Sequence, residues 1–288
     1  MVYTALFLAL ALFSSILSVI AAPSFTDLVV FGDSYSDNGH PRDPKLKIIG
    51  TSNGPVWNDY LSKKLQANLS NFAILGATVD NQIVLRSAPC VKDQAQIFYK
   101  ALTVNHAADA VTYNERSLFA IWIGVNDNYD LFFSGAAPSK YNDTIMALRG
   151  IMTGLYDHGA RHFFIPNVPP IEATPLGFDR VKGNPVILEL FGECIIRYNS
   201  LLEQAMREFV LQHPDANVQV FDAHSLFEQF HYSPQEFGLT NVTSACVNDF
   251  GKCAEPEKYL FWDYVHPTTY VHSLIADAFY NALSKESA

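Results

Sequence analysis

Basic charge is scarce in this chain. Its 288 residues include 19 Lys and Arg against 29 Asp and Glu, a formal charge of −10, and no basic block stands out. Such a surface repels phosphate backbones, which argues against nucleic acid as a partner, and it disfavours anionic headgroups. Cysteine is sparse as well, at four residues. No C-x-x-C pair and no H-E-x-x-H helix occurs, so no metal is expected, and no cofactor. Internal repeats, linkers and low-complexity tracts are missing too. With 49% hydrophobic and 17% charged residues, the chain past its first segment, residues 22–288, reads as one well-packed domain.

That first segment is different. Residues 5–20 are almost wholly apolar and end in Ala21-Ala22-Pro23, the pattern of a signal-peptide core with a small-residue cleavage site after Ala21. Met1-Val2-Tyr3-Thr4 lacks the usual Lys or Arg. The run is short for a membrane span and its flanks are uncharged, which favours a removed leader (residues 1–21) over a retained anchor. The expectation is a secreted monomer without stable membrane association. Three sequons agree with secretion: Asn68-Leu69-Ser70, Asn142-Asp143-Thr144 and Asn241-Val242-Thr243. An even number of cysteines fits an oxidising compartment. Three pairings are open; Cys246 with Cys253 is the easiest to close, and Cys90 with Cys194 would then remain.

Periodicity predicts alternating strands and helices. Leu28–Phe31, Leu69–Ile74, Leu118–Ile123, His162–Ile165 and Val218–Phe221 read as strands. After a Gly/Pro/Asn-rich loop at residues 40–55, Val56, Trp57, Tyr60, Leu61 and Leu65 mark one helix face. Further helices are expected at residues 93–102, 143–156 and 185–211, the last with a possible break at Gly192. Residues 233–256 show no convincing periodicity. A closing helix follows Pro267, its core face given as Val271, Leu274, Ile275, Ala278 and Ala282. Strands alternating with helices imply a parallel sheet of about five strands covered on both faces, an α/β fold.

In such a sheet every strand's carboxyl end points the same way, and ligands bind there. Ser34 follows the first strand in Phe31-Gly32-Asp33-Ser34, where it is expected to open a helix. Gly76 and Asn126 follow the second and third strands, and Asp263 and His266 precede the last helix. These residue types suit acyl transfer. Serine needs a base to take its proton, and His266 is the candidate. Asp263, one turn earlier, can hold the other ring N–H and set the tautomer. The tetrahedral oxyanion needs preorganised donors, which the backbone N–H groups of Ser34 and Gly76 and the Asn126 amide can supply. Asp33 and Asp127 read as loop-holding carboxylates rather than reacting groups. His224 near Asp222 reads as a bystander, and the aromatic runs 129–133 and 227–237 as core or packed loop, some of it lining a pocket. No G-x-S-x-G centred on a serine is expected, so the nucleophile elbow of α/β-hydrolases is not the device expected here.

These residues resemble the blocks of the GDSL, or SGNH, hydrolase superfamily. Phe31-Gly32-Asp33-Ser34 looks like its first block, with Tyr35 in place of the usual leucine; Asn71 to Thr78 is similar to the second, with Leu75 where a second glycine is common. Gly124-Val125-Asn126-Asp127 matches the third and Asp263-Tyr264-Val265-His266-Pro267 the fifth, with Asn167-Val168-Pro169-Pro170 as the proline block between. The resemblance implies a flavodoxin-like three-layer α/β/α fold, strand order 2-1-3-4-5, and ester hydrolysis through the roles assigned above. Its nearest look is to secreted fungal esterases, including acetylesterases acting on carbohydrate acetates. The leading expectation is therefore a secreted esterase on a small ester or an acylated oligosaccharide. A lipase or phospholipid acylhydrolase is the alternative, and a non-catalytic carbohydrate-binding relative is the reading from a different class.

Overall fold

The computed structural model describes residues 25–39, 51–104 and 115–286. The expected leader and most of the loop at 40–55 lie outside those residues. Five parallel strands form the central sheet: β1 (Asp27–Gly32), β2 (Asn68–Asn71), β3 (Ser117–Trp122), β4 (His162–Pro166) and β5 (Asn217–Phe221), in the order β2-β1-β3-β4-β5. That is the expected flavodoxin-like order, with the switch point between β1 and β3. Every residue of β1 and β3 is buried, which is why both read as unbroken apolar runs. β2 is shorter than expected, ending at Asn71, although the Phe72 and Ile74 N–H groups still reach the Val30 and Gly32 carbonyls of β1.

Strand alternation sorts the aromatic side chains into two layers. On one face Phe31 of β1 and Phe119 of β3 pack against Phe98 of α2 (Val91–Val104), and Phe163 of β4 packs against Phe209 of α6 (Pro185–Gln212). On the other, Trp122, Phe164 and Phe221 gather around Phe279 of α8 (Thr269–Glu286), which also meets Trp57 of α1 (Trp57–Leu65). α4 (Tyr141–Asp157) lies between α2 and α6, and α1 lies along α8. The α8 core face is turned from the expected one. Val271 and Ile275 are buried as expected, but Ala276, Phe279 and Leu283 complete the buried stripe, while Leu274, Ala278 and Ala282 are half-buried.

α6 runs unbroken through Gly192, contrary to the expected interruption. Asn184 caps it by accepting the N–H groups of Val186 and Ile187, and Pro185 sits at its first position. Gly192 is there for packing, since a Cβ would lie 3.1 Å from Glu172 Oε1. Three helices were not anticipated: α3 (Val125–Phe133), α5 (Pro175–Arg180) and α7 (Ala223–Tyr232). The featureless stretch 233–256 holds β6 (Asn241–Ala245), which pairs in parallel with β9 (Tyr259–Phe261), and a small hairpin of β7 (Val247–Asn248) and β8 (Gly251–Lys252).

Cys246 and Cys253 are bonded across that hairpin. Cys90 and Cys194 stay unpaired, so the second expected bridge does not form. Cys90 is buried against the Asp93 carboxylate at the start of α2, and Cys194 is half-buried on α6 beside Tyr141 of α4. The hairpin also donates Cys246 N–H to Phe261 O and Val247 N–H to Trp262 O, immediately before Asp263. An eight-residue ring stabilises by roughly 2.5 kcal/mol in the chain-entropy model. Changing Cys246 and Cys253 together to serine should lower Tm by roughly 5–10 °C and reduce kcat as well. An unchanged kcat would confine the bridge to stability.

Candidate active site

Ser34 lies two residues past the end of β1 and is 6% exposed. It does not open a helix. The Asp33 carbonyl accepts the N–H groups of Ser36 and Asp37, its Oδ1 accepts that of Tyr35, and the chain completes a single turn. The Asp37 carboxylate then accepts the N–H groups of Gly39 and Leu75 and draws the chain toward the β2 loop, so no second turn forms. Thr51 Oγ1 donates to the Ser34 carbonyl at 2.7 Å, which fixes the serine backbone from the far side.

His266 and Asp263 arrive from the loop between β9 and α8. The imidazole Nδ1 is 2.7 Å from Asp263 Oδ2, while Asp263 Oδ1 accepts the N–H groups of Val265 and His266. Burial works to raise this carboxyl, but the bonds and charge of His266 and the two backbone donors outweigh it, and the group is held below the usual carboxylate range. The loop is tied to the serine turn from both directions. Tyr35 donates its hydroxyl to the Val265 carbonyl at 2.8 Å. Ser52 Oγ donates to Pro267 O at 2.9 Å, and Asn53 Oδ1 accepts the Thr269 N–H. The G-x-S-x-G spacing does occur once, at Gly50-Thr51-Ser52-Asn53-Gly54, contrary to the expectation above. The Ser52 hydroxyl is committed to this clasp, and Ser52 does not line the cavity that Ser34 lines.

Ser34, Gly76, Asn126 and His266 line one cavity of about 250 Å³ at the carboxyl end of the sheet. Leu75, Val125, Tyr129, Ile171, Leu176 and Val265 give it apolar walls. Among the described residues the Ser34 and Gly76 backbone N–H groups have no acceptor. Gly76 has φ +81, a left-handed conformation that explains glycine there. Asn126 donates one Nδ2 hydrogen to the Ala77 carbonyl at 2.8 Å, and its Oδ1 accepts from Arg86 Nη1 at 2.7 Å. No hydrogen bond joins Ser34 Oγ to His266 Nε2, although both residues line this cavity; catalytic contacts of this kind often tighten only in the substrate complex. Asp263 stands behind His266, outside the cavity lining.

Several wall residues had no signal before the fold was known. Arg86, Ile171 and Leu176 fell in stretches without periodicity. Tyr129 does line the cavity, as part of the aromatic run flagged earlier, whereas Phe227 and Phe230 are core. His224 faces Glu228, with Nδ1 3.8 Å from the carboxylate, and takes no part in the cavity. Among the described residues no group of three His, Cys, Asp or Glu could hold a metal ion.

Two buried carboxyls flank the site, Asp33 before the serine and Asp127 after the asparagine. Each binds backbone as expected, Asp33 accepting from Tyr35 and Asp127 from Val79 at 3.1 Å, and in each the Oδ2 oxygen has no partner. Burial pushes both up from 3.8 to about 7. Between those values the folded protein holds a proton that the unfolded chain has released, so stability falls as pH rises and the contribution is gone above about 7. Asp127→Asn keeps the bond to Val79 and removes the titration. The Tm of this variant relative to wild type should therefore improve steadily from about pH 4 to about pH 7. A difference independent of pH would contradict the assignment.

Known proteins agree with this architecture. The chain is 26% identical to a thermolabile hemolysin of Vibrio parahaemolyticus across 87% of its own length, and spans 62% of that protein's length. It is 27% identical to an acetylesterase of Thermothelomyces thermophilus, covering 87% of this chain and 86% of the relative. An acetylxylan esterase structure from Geobacillus stearothermophilus matches in fold with a TM-score of 0.53 at 17% identity, covering 91% of this chain and 96% of that one. Among the described residues no helix is long and apolar enough to cross a membrane. The GDSL-like lipase/acylhydrolase model matches residues 28–279, nearly the whole length, so the chain belongs to that family and is a serine hydrolase of carboxylic esters.

Proposed function

We propose that this protein is a secreted esterase that removes short acyl groups, acetyl above all, from carbohydrates through an acyl-Ser34 intermediate. The observation that carries the reading is the convergence of Ser34, Gly76, Asn126 and His266 on one small cavity, with Asp263 bonded to the far nitrogen of the imidazole. Asp263 holds the Nδ1–H, leaving the Nε2 lone pair free. That lone pair takes the Ser34 proton as Oγ attacks the ester carbonyl carbon. The oxyanion is received by the Ser34 and Gly76 N–H groups and the Asn126 amide. Collapse expels the alcohol, protonated by His266. Water, deprotonated by the same nitrogen, then attacks the acyl carbon and releases the carboxylate and Ser34.

The small cavity supports a short acyl group, and the similarity to acetylesterases supports a carbohydrate acetate. The apolar leader and three sequons support secretion. A second reading, a lipid acyl ester, is favoured by Leu85, which is 86% exposed beside the cavity residue Arg86, and by exposed Leu75 in the wall. Comparing p-nitrophenyl acetate, butyrate and laurate with an acetylated xylo-oligosaccharide decides between them. The expected result is kcat/KM falling from acetate to laurate and release of acetate from the oligosaccharide. A preference for laurate with no acetate released would overturn the reading.

A further inference from the structure

We infer that Arg86 is a positioning residue that sets the Asn126 amide for catalysis, a step that rests on the reading of Asn126 as an oxyanion donor. Arg86 comes from the irregular segment between Gly76 and α2. Its Nε and Nη2 reach the two oxygens of Asp130 at 2.6 and 2.8 Å, a bidentate fork, and its Nη1 reaches Asn126 Oδ1 at 2.7 Å. Asn126 and Asp130 are four residues apart on α3, so they occupy one face of that helix and present both acceptors to a single guanidinium. The Asp130 bonds, against the opposing effect of burial, hold Arg86 more firmly protonated than usual.

The consequence lies in the asymmetry of an amide. A side-chain amide has two orientations of nearly equal shape, and only the polar neighbours distinguish them. Here one neighbour is a guanidinium, which only donates, and the other is the Ala77 carbonyl, which only accepts. Turning the amide over would set N–H against N–H and oxygen against oxygen. Asn126 is thus locked with Oδ1 on Arg86 and Nδ2 on Ala77. Its second Nδ2 hydrogen has no acceptor among the described residues and is left for the cavity that Asn126 lines. A charged donor on Oδ1 also draws electron density from the amide and strengthens that hydrogen as a donor. The geometry matters because a preorganised donor costs no reorientation as the oxyanion forms.

A plain structural clasp between the loop and α3 would use the same Arg86–Asp130 contacts, so the test must separate the two. It is a double-mutant cycle on kcat with p-nitrophenyl acetate, using wild type, Arg86→Ala, Asn126→Ala and the double variant, with KM and Tm measured on each. Asn126→Ala should lose on the order of 10²–10³ in kcat. Arg86→Ala should lose roughly 10–100-fold, with KM nearly unchanged, since only part of the donor's effect goes. In the double variant the Arg86 change should add almost nothing to the Asn126 loss. Soluble guanidinium should restore part of the kcat of Arg86→Ala and none of the double variant. If Arg86→Ala does not accumulate as folded protein, Arg86→Met keeps the aliphatic stem and is carried through the same cycle. Equal fold losses from the Arg86 change in both backgrounds, or a loss confined to Tm or KM, would overturn the inference while leaving Asn126 in its role. Wild-type kcat in Asn126→Ala would instead remove Asn126 from the site, and the inference with it.

Discussion

Ser34→Ala should fold with an unchanged Tm and hydrolyse no ester above background, the largest change expected of any single substitution. The side chain is one oxygen atom in a turn held by others: the Asp33 carbonyl and carboxylate order the backbone, and Thr51 grips the Ser34 carbonyl from outside. None of those bonds involves Oγ, so removing it leaves the turn intact. The acyl group then has no atom to occupy. Loss of a nucleophile in serine hydrolases costs on the order of 10⁶ in kcat, with the oxyanion donors still giving some catalysis over water. Binding of a substrate such as an acetylated oligosaccharide should survive, because the cavity walls are untouched. A variant retaining a tenth of wild-type turnover would move the nucleophile elsewhere. A variant that had lost both Tm and activity would show that the hydroxyl is structural.

Gly32→Ala should be the most damaging change to the fold near the site. Gly32 is the last residue of β1 and stands opposite Trp122 in the β3 register. A Cβ there would lie 2.3 Å from the Trp122 carbonyl oxygen and 3.2 Å from Ser36 Oγ. The first of those atoms is backbone of the central strand and has nowhere to go. Gly32 cannot move aside either. Its N–H donates to Gln94 Oε1 and its carbonyl accepts from Gln94 Nε2 and from the Ile74 N–H. Overpacking against immovable neighbours costs about 3 kcal/mol or more, which for a domain of this size lowers Tm by roughly 6–12 °C. Whatever fraction folds should also turn over slowly, since Ser34 is two residues further on. Gly150→Ala is the control: it lies within α4 with nothing inside 4 Å of the added carbon, and it should be neutral or slightly stabilising. Equal Tm values for Gly32→Ala and wild type would show that the sheet yields more readily than its bonds suggest.

The sheet was legible because parallel strands covered on both faces must be apolar throughout, and Leu118–Ile123 or Leu28–Phe31 cannot be mistaken for surface. The positions of Ser34, Gly76, Asn126 and His266 were legible for a related reason: each follows a strand or precedes a helix, and parallel topology sends all of them to one end. α3 was not, because Asn126, Asp127, Asn128 and Asp130 look like turn residues. In fact Asp127 reaches Val79, Asn128 bonds back to the Gly124 carbonyl, and Asp130 holds Arg86. Turn chemistry and helix-surface chemistry use the same residue types. Arg86 was invisible for a different reason. Its partners lie 40 and 44 residues away, and an isolated arginine in a loop has no local pattern to announce them. The orientation of α8 is not legible from its aliphatic residues, because Phe279, which joins three strands, sets which face turns inward.

In the proposed mechanism Ser34 Oγ is the atom that becomes acylated. Incubating the purified protein with an alkyl fluorophosphonate, which transfers its phosphonyl group to an activated serine oxygen, and mapping the product by peptide mass spectrometry tests this most directly. One label per chain, on the peptide containing Ser34, with esterase activity lost in proportion, is the predicted result; His266→Ala should label far more slowly at the same position. Full inactivation with the label on another residue, or undiminished ester hydrolysis after Ser34 is fully labelled, would contradict it.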